Sequence, residues 1–117
     1  MPDPVELIIS DFDKHGCLVP KDLARGITVV MFFAKWCGHC TTSKPIFKQF
    51  ANASNGVKVA WIDWDKAQSV NVGLVKDWPF VVEGYPTFVV FKNGIANGYY
   101  GGPRTLAGFK SIAGKVK

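Results

Sequence analysis

Cysteine is scarce in this chain, with three residues in 117, at positions 17, 37 and 40. Three cysteines are too few and too unevenly placed for a small secreted domain that disulfides hold together. A structural zinc site normally needs four Cys or His ligands, and only His15, Cys17 and His39 could add to Cys37 and Cys40. Because His39 lies inside that pair and His15 and Cys17 are one residue apart, we expect no metal site.

Long apolar runs, clusters of like charge and repeats are also missing. The apolar run at 27–34 is too short to cross a membrane, and Met1-Pro2-Asp3-Pro4 does not begin a signal peptide. The net charge of +5 is spread over single Lys and Arg residues, which predicts a mildly basic surface and no nucleic-acid partner. With 48% hydrophobic and 14% aromatic residues, the chain is not disordered. We therefore predict one folded domain over residues 1–117, without a membrane partner.

The most informative pattern is Cys37-Gly38-His39-Cys40, which directly follows the apolar run Ile27 to Ala34. The run is rich in Val and Phe and predicts a buried strand, while the spacing from Gly38 to about Phe50 is helical. Both cysteines therefore fall at a strand-to-helix junction, where backbone N–H groups and the helix dipole favour a thiolate. An attacking Cys37 at the exposed end would have a resolving Cys40 one turn away, which is the chemistry of thiol–disulfide exchange.

Strand and helix patterns alternate along the chain. We predict strands at Val5–Ile9, Ile27–Phe33, Val57–Ile62, Thr87–Lys92 and Ile95–Tyr100, the last two joined by the hairpin turn Asn93-Gly94. We predict helices from Gly38 to about Phe50, from Lys66 to about Asp77 and from Thr105 to about Ala113. A helix start at Ser10 is soon ended by Gly16, and Pro20–Arg25 fits one or two helical turns closed by Gly26. The resulting order is βαβαβαββα, in which parallel strands joined by helices precede an antiparallel hairpin.

The helix that follows the cysteines is predicted to be amphipathic. Ile46, Phe47 and Phe50 would face the core, while Lys44 and Lys48 would point outward. Pro45 should kink this helix, because proline lacks a backbone donor and clashes with the preceding turn.

The chain resembles the thioredoxin-fold superfamily, and specifically a catalytic domain of the protein disulfide isomerases. The residues that carry the resemblance are Phe32 to Cys40, Pro45, Gly84-Tyr85-Pro86-Thr87 and Phe91-Lys92-Asn93-Gly94. Together with the order of elements, the resemblance covers nearly the whole chain. It implies an α/β thioredoxin fold, in which a central mixed sheet is flanked by helices.

The resemblance also implies a division of roles within the motif. Cys37 is expected to be the nucleophile and Cys40 the resolving thiol, and the two would form the redox-active disulfide without a cofactor. His39 and Gly38 are expected to tune the pair, since a donor or positive charge near Cys37 stabilises its thiolate and makes the disulfide a stronger oxidant. A solvated, inert His39 is the alternative.

Residues outside the motif are expected to hold the substrate or adjust the pair. Pro86 should be cis and face the cysteines, so that Tyr85 and Thr87 can pair with an extended substrate chain. Trp36 would flank the site and offer an aromatic surface to unfolded proteins. Arg104 fits the place of a movable charge near the second cysteine, with a plain surface arginine as the alternative.

Two positions depart from the family pattern. Family members usually carry a buried carboxylate six residues before the first cysteine, where this chain has Met31. A lysine often follows an alanine on the next strand, but here Ala60 is followed by Trp61. The double replacement is coherent, because removing one partner alone would leave a buried unpaired charge. It predicts slower turnover.

These observations predict a thiol–disulfide oxidoreductase that acts on protein disulfides and is more isomerase- or oxidase-like than reductase-like. The alternatives are a thioredoxin-type general reductase, whose usual mark is a proline in place of His39, and a slow redox-active binding module. The expected partners are proteins bearing thiols or disulfides and a redox partner, either glutathione or a reductase or oxidase. We expect a monomer in which Cys17 is a free thiol that catalysis does not need.

The compartment stays open at this point. No signal peptide is present in the chain as written, which predicts the cytoplasm by default. Gly38-His39 instead favours an oxidising compartment of the endoplasmic-reticulum type, if the chain has been trimmed.

Overall fold

A mixed β-sheet organises the protein. The computed structural model describes residues 3–53, 56–70, 75 and 77–115. Within them the strands are β1 (Val5–Glu6), β2 (Ile27–Phe33), β3 (Val57–Asp63), β4 (Thr87–Lys92) and β5 (Ile95–Tyr100). They lie in the order β1-β3-β2-β4-β5, with β3 parallel to β1 and β2, and β4 antiparallel to β2 and β5. The predicted mixed sheet is confirmed, and β1 is its short edge strand.

Helices cover the sheet and connect its strands. They are α1 (Gly38–Ala53), α2 (Trp64–Val70), α3 (Leu106–Lys110) and α4 (Ile112–Lys115). Helix α2 begins two residues before the predicted start, because the Asp63 carboxylate accepts a hydrogen bond of 3.2 Å from the Lys66 backbone N–H. The rest of the helix predicted to reach Asp77 falls partly on residues 71–74 and 76, outside the described residues. The closing helix is divided at Ser111, and Thr105 caps its start by accepting from the Gly108 N–H at 3.0 Å.

The segment between β1 and β2 differs from the predicted order. It contains a 3₁₀ helix at Ile9–Asp11, a bridge between Phe12 and Leu18, and a single helical turn in which the Ala24 N–H donates to the Pro20 carbonyl at 2.9 Å. The Asp13 carboxylate accepts from the backbone N–H groups of His15 and Cys17, which closes a tight turn. This turn reverses the chain before any α-helix can lengthen.

Strand β2 is buried on both faces, which explains its continuous apolar sequence. Val29, Met31 and Phe33 join the cluster that α1 and α3 cover, whereas Val30 and Phe32 join a second cluster on the opposite face. Thr28, the polar residue in the run, is fully buried, and its hydroxyl donates to the Leu23 carbonyl at 3.2 Å. The alternation of strand side chains therefore divides the core into two layers.

The hairpin between β4 and β5 has the predicted turn. Asn93 and Gly94 both have positive φ, at 52° and 81°, as a two-residue hairpin of the favoured twist requires. A Cβ on Gly94 would approach the Leu18 carbonyl oxygen to 3.2 Å, so the turn also packs closely against the segment before β2. Asn93 adds a side-chain bond, accepting from the Gly26 N–H at 2.9 Å.

Helix α1 runs through Pro45 to Ala53, three residues beyond its predicted end. Phe47 and Phe50 are buried as predicted, and Lys48 lies outward with its Nζ 3.9 Å from an Asp3 carboxylate oxygen. The kink at Pro45 stays a prediction. Lys44 is half-buried, so its predicted outward position is wrong: aromatic rings of β2 and β3 offer their faces to its ammonium group.

Phe47 is fully buried in the core layer that α1 covers. Its ring lies within 5.4–6.3 Å, centroid to centroid, of the rings of Phe50, Trp61, Phe88 and Phe109. We predict that Phe47→Ala lowers the free energy of unfolding by about 3–5 kcal/mol, because it removes transfer energy and leaves a cavity. Urea denaturation of the reduced protein measures this loss. Ile95→Ala, at a side chain that is 60% exposed, is the control and should change little. Equal effects of the two changes would contradict this account of the core.

Candidate active site

The two cysteines lie where β2 passes into α1. After β2 ends at Phe33, the Cys37 N–H bonds to the Ala34 carbonyl at 3.2 Å, and α1 begins at Gly38. Both cysteines are free thiols, and the Cys40 backbone N–H donates to the Cys37 Sγ at 3.1 Å. The first turn of the helix thus directs an N–H group at the sulfur of Cys37, a position that favours a thiolate.

Burial corrects the expectation of an exposed Cys37. Cys37 is 6% exposed and Cys40 is 1% exposed, and both pack with Phe33 and Ala34 in the core layer beneath α1. The cause is the packing of its side chain against this cluster, while the Thr41 N–H bonds to its carbonyl at 3.1 Å in the first turn of the helix. Cys37 is still the more accessible of the two.

The Cys40 thiol is held in its protonated form. Burial is the main cause that raises its pKa to about 11, followed by its interaction with the Cys37 side chain. A backbone hydrogen bond from Ala34 and, after it, the Lys44 charge lower this pKa. Cys40 must therefore lose a proton before it can act as a nucleophile near neutral pH.

Segment 84–87 lies beside the cysteines because β4 pairs with β2. Thr87 is the register partner of Phe32, near the end of β2, and the Tyr85–Pro86 peptide is cis as predicted. The Thr87 hydroxyl donates to the Gly84 carbonyl at 2.6 Å, which closes this turn. Tyr99 fixes the preceding loop, since its hydroxyl accepts from the Val81 N–H at 2.7 Å and donates to the Val81 carbonyl at 3.0 Å.

Two aromatic side chains flank the thiols. Trp36 is 70% exposed, and its ring meets that of Tyr85 edge to face at a centroid distance of 5.6 Å. Burial raises the pKa of the Tyr85 phenol, and smaller contributions come from Asp65, Asp63 and then both cysteines. Tyr85 therefore lies within electrostatic reach of the thiol pair, and the structure brings Trp36, Tyr85, Pro86 and Thr87 together at the site.

The three predicted tuning residues occupy different surroundings. Gly38 and His39 are exposed in the first turn of α1, and a Cβ on Gly38 would meet open space. Arg104 is exposed and lines a cavity of about 240 Å³ with Pro86, Thr87 and Tyr100, among others, but with neither cysteine. The structure thus associates Arg104 with the side of the site that holds Pro86. Its effect on Cys40 stays a prediction.

Apolar groups occupy the positions where the family pattern has a buried ion pair. Met31 is fully buried and is the register partner of Trp61, whose indole Nε1 is buried without a hydrogen-bond partner in the described part of the chain. Lys44 approaches this pair from α1: its Nζ lies 3.8 Å from the centroid of the Phe33 ring and 5.5 Å from that of Trp61. Lys44 is not among the residues that the sequence predicts for the site. Its signal was its position four residues after Cys40.

The described ranges contain neither a helix that could span a membrane nor a cluster of side chains that could bind a metal. In residues 3–53, 56–70, 75 and 77–115, no helix has the length and apolar character needed to cross a membrane. In the same ranges, no three His, Cys, Asp or Glu side chains form a group that could hold a metal ion.

Comparison with known proteins identifies the family. The Thioredoxin family model matches residues 12–115, so the chain belongs to the thioredoxin family. Among solved structures, the human ERp44 zinc-bound form superposes with a TM-score of 0.72 at 19% identity, over 97% of this chain and 30% of that one. This likeness confirms the thioredoxin fold.

Several curated relatives are named as protein disulfide isomerases. The chain is 35% identical to a "Thioredoxin domain-containing protein 5 homolog" of Drosophila melanogaster over 87% of its length. It is also 35% identical to "Protein disulfide-isomerase A3" of Gallus gallus over 93% of its length. It spans 27% and 20% of these two relatives. The chain is thus a thioredoxin-like domain homologous to protein disulfide isomerases.

The environments of the three thiols predict a selective reaction with an alkylating agent. A thiol with a pKa of about 11 is ionised in about one molecule in ten thousand at pH 7, and burial followed by Asp13 raises the pKa of Cys17 as well. We predict that a short iodoacetamide pulse on the reduced protein near neutral pH labels Cys37. Peptide mass spectrometry locates the label, and preferential labelling of Cys40 or Cys17 would refute the assignment of the nucleophile.

Proposed function

We propose that this domain is a thiol–disulfide oxidoreductase of the protein disulfide isomerase type, acting on disulfides in proteins. The observation that carries the proposal is the N–H of Cys40 directed at the Cys37 sulfur at 3.1 Å, beside the turn that holds Pro86. A donor at this place supports a reactive thiolate at Cys37, and a second thiol one turn away supports its release from a mixed disulfide. The chemistry needs no cofactor beyond the pair.

The cycle begins when the Cys37 thiolate attacks a substrate disulfide. A bond forms between Cys37 and one substrate sulfur, and the other substrate sulfur leaves as a thiolate that takes up a proton. The Cys40 thiol then loses its proton and attacks the Cys37 sulfur, which releases the second substrate thiol and forms the Cys37–Cys40 disulfide. Two electrons pass to the substrate in this direction, and the reverse sequence oxidises a dithiol.

The surroundings of the thiols support a protein substrate. Trp36 is 70% exposed beside Tyr85, and together they offer an aromatic surface next to Cys37. An extended chain bound along the turn would meet the backbone of Tyr85 and Thr87 and could bring its disulfide to the nucleophile. Glutathione or a separate reductase or oxidase would reset the pair. We propose that the domain acts as a monomer over residues 1–117.

A second candidate is a redox-active binding module with slow turnover. The observation that favours it is the full burial of Met31 where the family pattern places a carboxylate, since a methionine at that position cannot accept the proton of Cys40. A thioredoxin-type general reductase is the nearer alternative, but its usual proline is replaced by His39. Catalytic turnover distinguishes the isomerase-type enzyme from the slow binding module. The reduction potential distinguishes both from the general reductase.

Trapping a mixed disulfide tests the proposed function. We predict that Cys40→Ser accumulates disulfide-linked complexes with unfolded protein substrates that carry disulfides, because Cys37 can still attack them but the resolving step is removed. Cys37→Ser should abolish both trapping and insulin reduction, whereas the control Cys17→Ser should keep most of the activity. Wild-type protein that neither reduces insulin nor isomerises a scrambled substrate would refute the enzyme and leave the binding module. A large loss in Cys17→Ser would show that this cysteine takes part in exchange.

His39 provides a test of how the pair is tuned. If His39 stabilises the Cys37 thiolate, it stabilises the reduced form, so His39→Pro should favour the disulfide and make the protein more reducing. A charge at an exposed helix start contributes about 0.3–1 kcal/mol. By the two-electron conversion this corresponds to a potential more negative by about 6–20 mV. Equilibration with glutathione buffers at pH 7 measures the difference. An unchanged or less negative potential would show that another group sets the redox poise.

A further inference from the structure

We propose that Lys44 is a positioning residue for the second thiol: its ammonium group favours the Cys40 thiolate when Cys40 resolves the mixed disulfide. The charge acts from α1, at the place where Met31 and Trp61 leave no buried ion pair. This inference rests on the proposed exchange function and assigns a role to a residue outside the redox motif.

The helix brings the two side chains together. Lys44 follows Cys40 by four residues in α1, so the side chains lie one above the other on the same face of the helix. Helical side chains lean towards the N-terminus, so the long Lys44 side chain extends back over the turn that holds Cys40. Lys48, one turn later, is exposed and pairs with Asp3, so its charge lies on the outer side of the helix.

Aromatic rings hold the Lys44 ammonium group over the core layer. Its Nζ is 3.8 Å from the centroid of Phe33 and 5.5 Å from that of Trp61, distances at which the ring faces attract a cation. Phe33 packs in the same buried cluster as Cys37 and Cys40. Because Lys44 is half-buried, its field is screened less by water than that of an exposed lysine.

Among the charged and titratable groups around Cys40, Lys44 is the half-buried cation on the face of the sheet that α1 covers. Cys37, in the same turn, and Tyr85, before β4, are acidic groups, and a negative charge on either disfavours the Cys40 thiolate. Asp63, at the end of β3, and Asp65, in α2, interact with Tyr85. Lys35 is an exposed cation nearby in sequence, and His39 is an exposed titratable group. Met31 and Trp61 contribute no charge.

The step that Lys44 favours is the second half of the cycle. Cys40 releases its proton to solvent or to the departing substrate thiolate, and its sulfur attacks the Cys37 sulfur. The bond between Cys37 and the substrate breaks as the Cys37–Cys40 bond forms, and the substrate leaves with the electron pair. Lys44 stays an ammonium group throughout and acts through its charge.

Titration of Cys40 in the reduced full-length chain tests the inference without depending on activity. The test variants are Lys44→Met, which keeps the apolar stem and removes the charge, and Lys44→Arg, which keeps the charge. Lys48→Met is the matched control on the same helix. Lys44→Gln is a second uncharged variant that keeps the test decisive if methionine alters the packing. The assigned ¹³Cβ shift of Cys40 reports its midpoint, and single-turnover reduction of a peptide disulfide at pH 7–9 reports the resolving rate.

We expect the two uncharged Lys44 variants to raise the Cys40 midpoint by about 0.3–0.7 unit and to slow resolution by about two- to fivefold. Lys44→Arg and Lys48→Met should match the wild type in both measurements. Since both midpoints lie well above pH 9, the rates of wild type and variants should rise together between pH 7 and 9 while the two- to fivefold difference persists. Uncharged variants that titrate like Lys48→Met, or a Lys44→Arg that behaves like Lys44→Met, would overturn the inference. A wild type that reduces no peptide disulfide would instead refute the proposed function, while the Cys40 titration would still decide the role of Lys44.

Discussion

The burial of β2 on both faces is the constraint on which the rest of the structure depends. The strand pairs with β3 on one side and β4 on the other, and its side chains alternate between two apolar layers. A shift of such a strand by one residue would move every side chain into the opposite layer, so the pairing register of β2 is strongly fixed. The chain emerges from it at Phe33, and the start of α1 then holds Cys37. The position of the nucleophile therefore follows from the packing of the central strand.

The same enclosure determines what surrounds the second thiol. Met31 and Phe33 lie on the face of β2 that α1 covers, and Trp61 approaches from β3. A single carboxylate at position 31 would be a buried charge facing Trp61, which offers no opposite charge, and such a charge is strongly destabilising. The absence of both the carboxylate and the lysine that usually accompanies it avoids this cost. It also leaves Cys40 in an apolar layer, which is why burial is the first cause of its raised pKa.

The sequence predicted the parts of the structure that depend on local patterns. The strands, the Asn93-Gly94 turn and the helix after the cysteines each have a distinct local signal, and all are present. The features that the sequence did not predict correctly depend on tertiary contacts. The turns between β1 and β2 are set by Asp13 accepting from two backbone N–H groups, and the inward position of Cys37 is set by the cluster beneath it. Helical periodicity treats Lys44 as a polar residue, because it contains no information about the rings of two distant strands.

The two thiols of the motif are separated by one helical turn and yet lie in opposite electrostatic situations. Cys37 accepts an N–H from the helix start, which stabilises a negative sulfur before any substrate arrives. Cys40 lies deeper, and burial raises the pKa of its thiol more than a backbone hydrogen bond from Ala34 lowers it. The first attack is thus favoured by a backbone donor, whereas resolution depends on how far the groups around the second sulfur offset its burial. A substitution in this layer therefore changes the lifetime of the mixed disulfide more than the rate at which Cys37 attacks a substrate. This lifetime distinguishes a rapid exchange catalyst from a protein that retains its substrates.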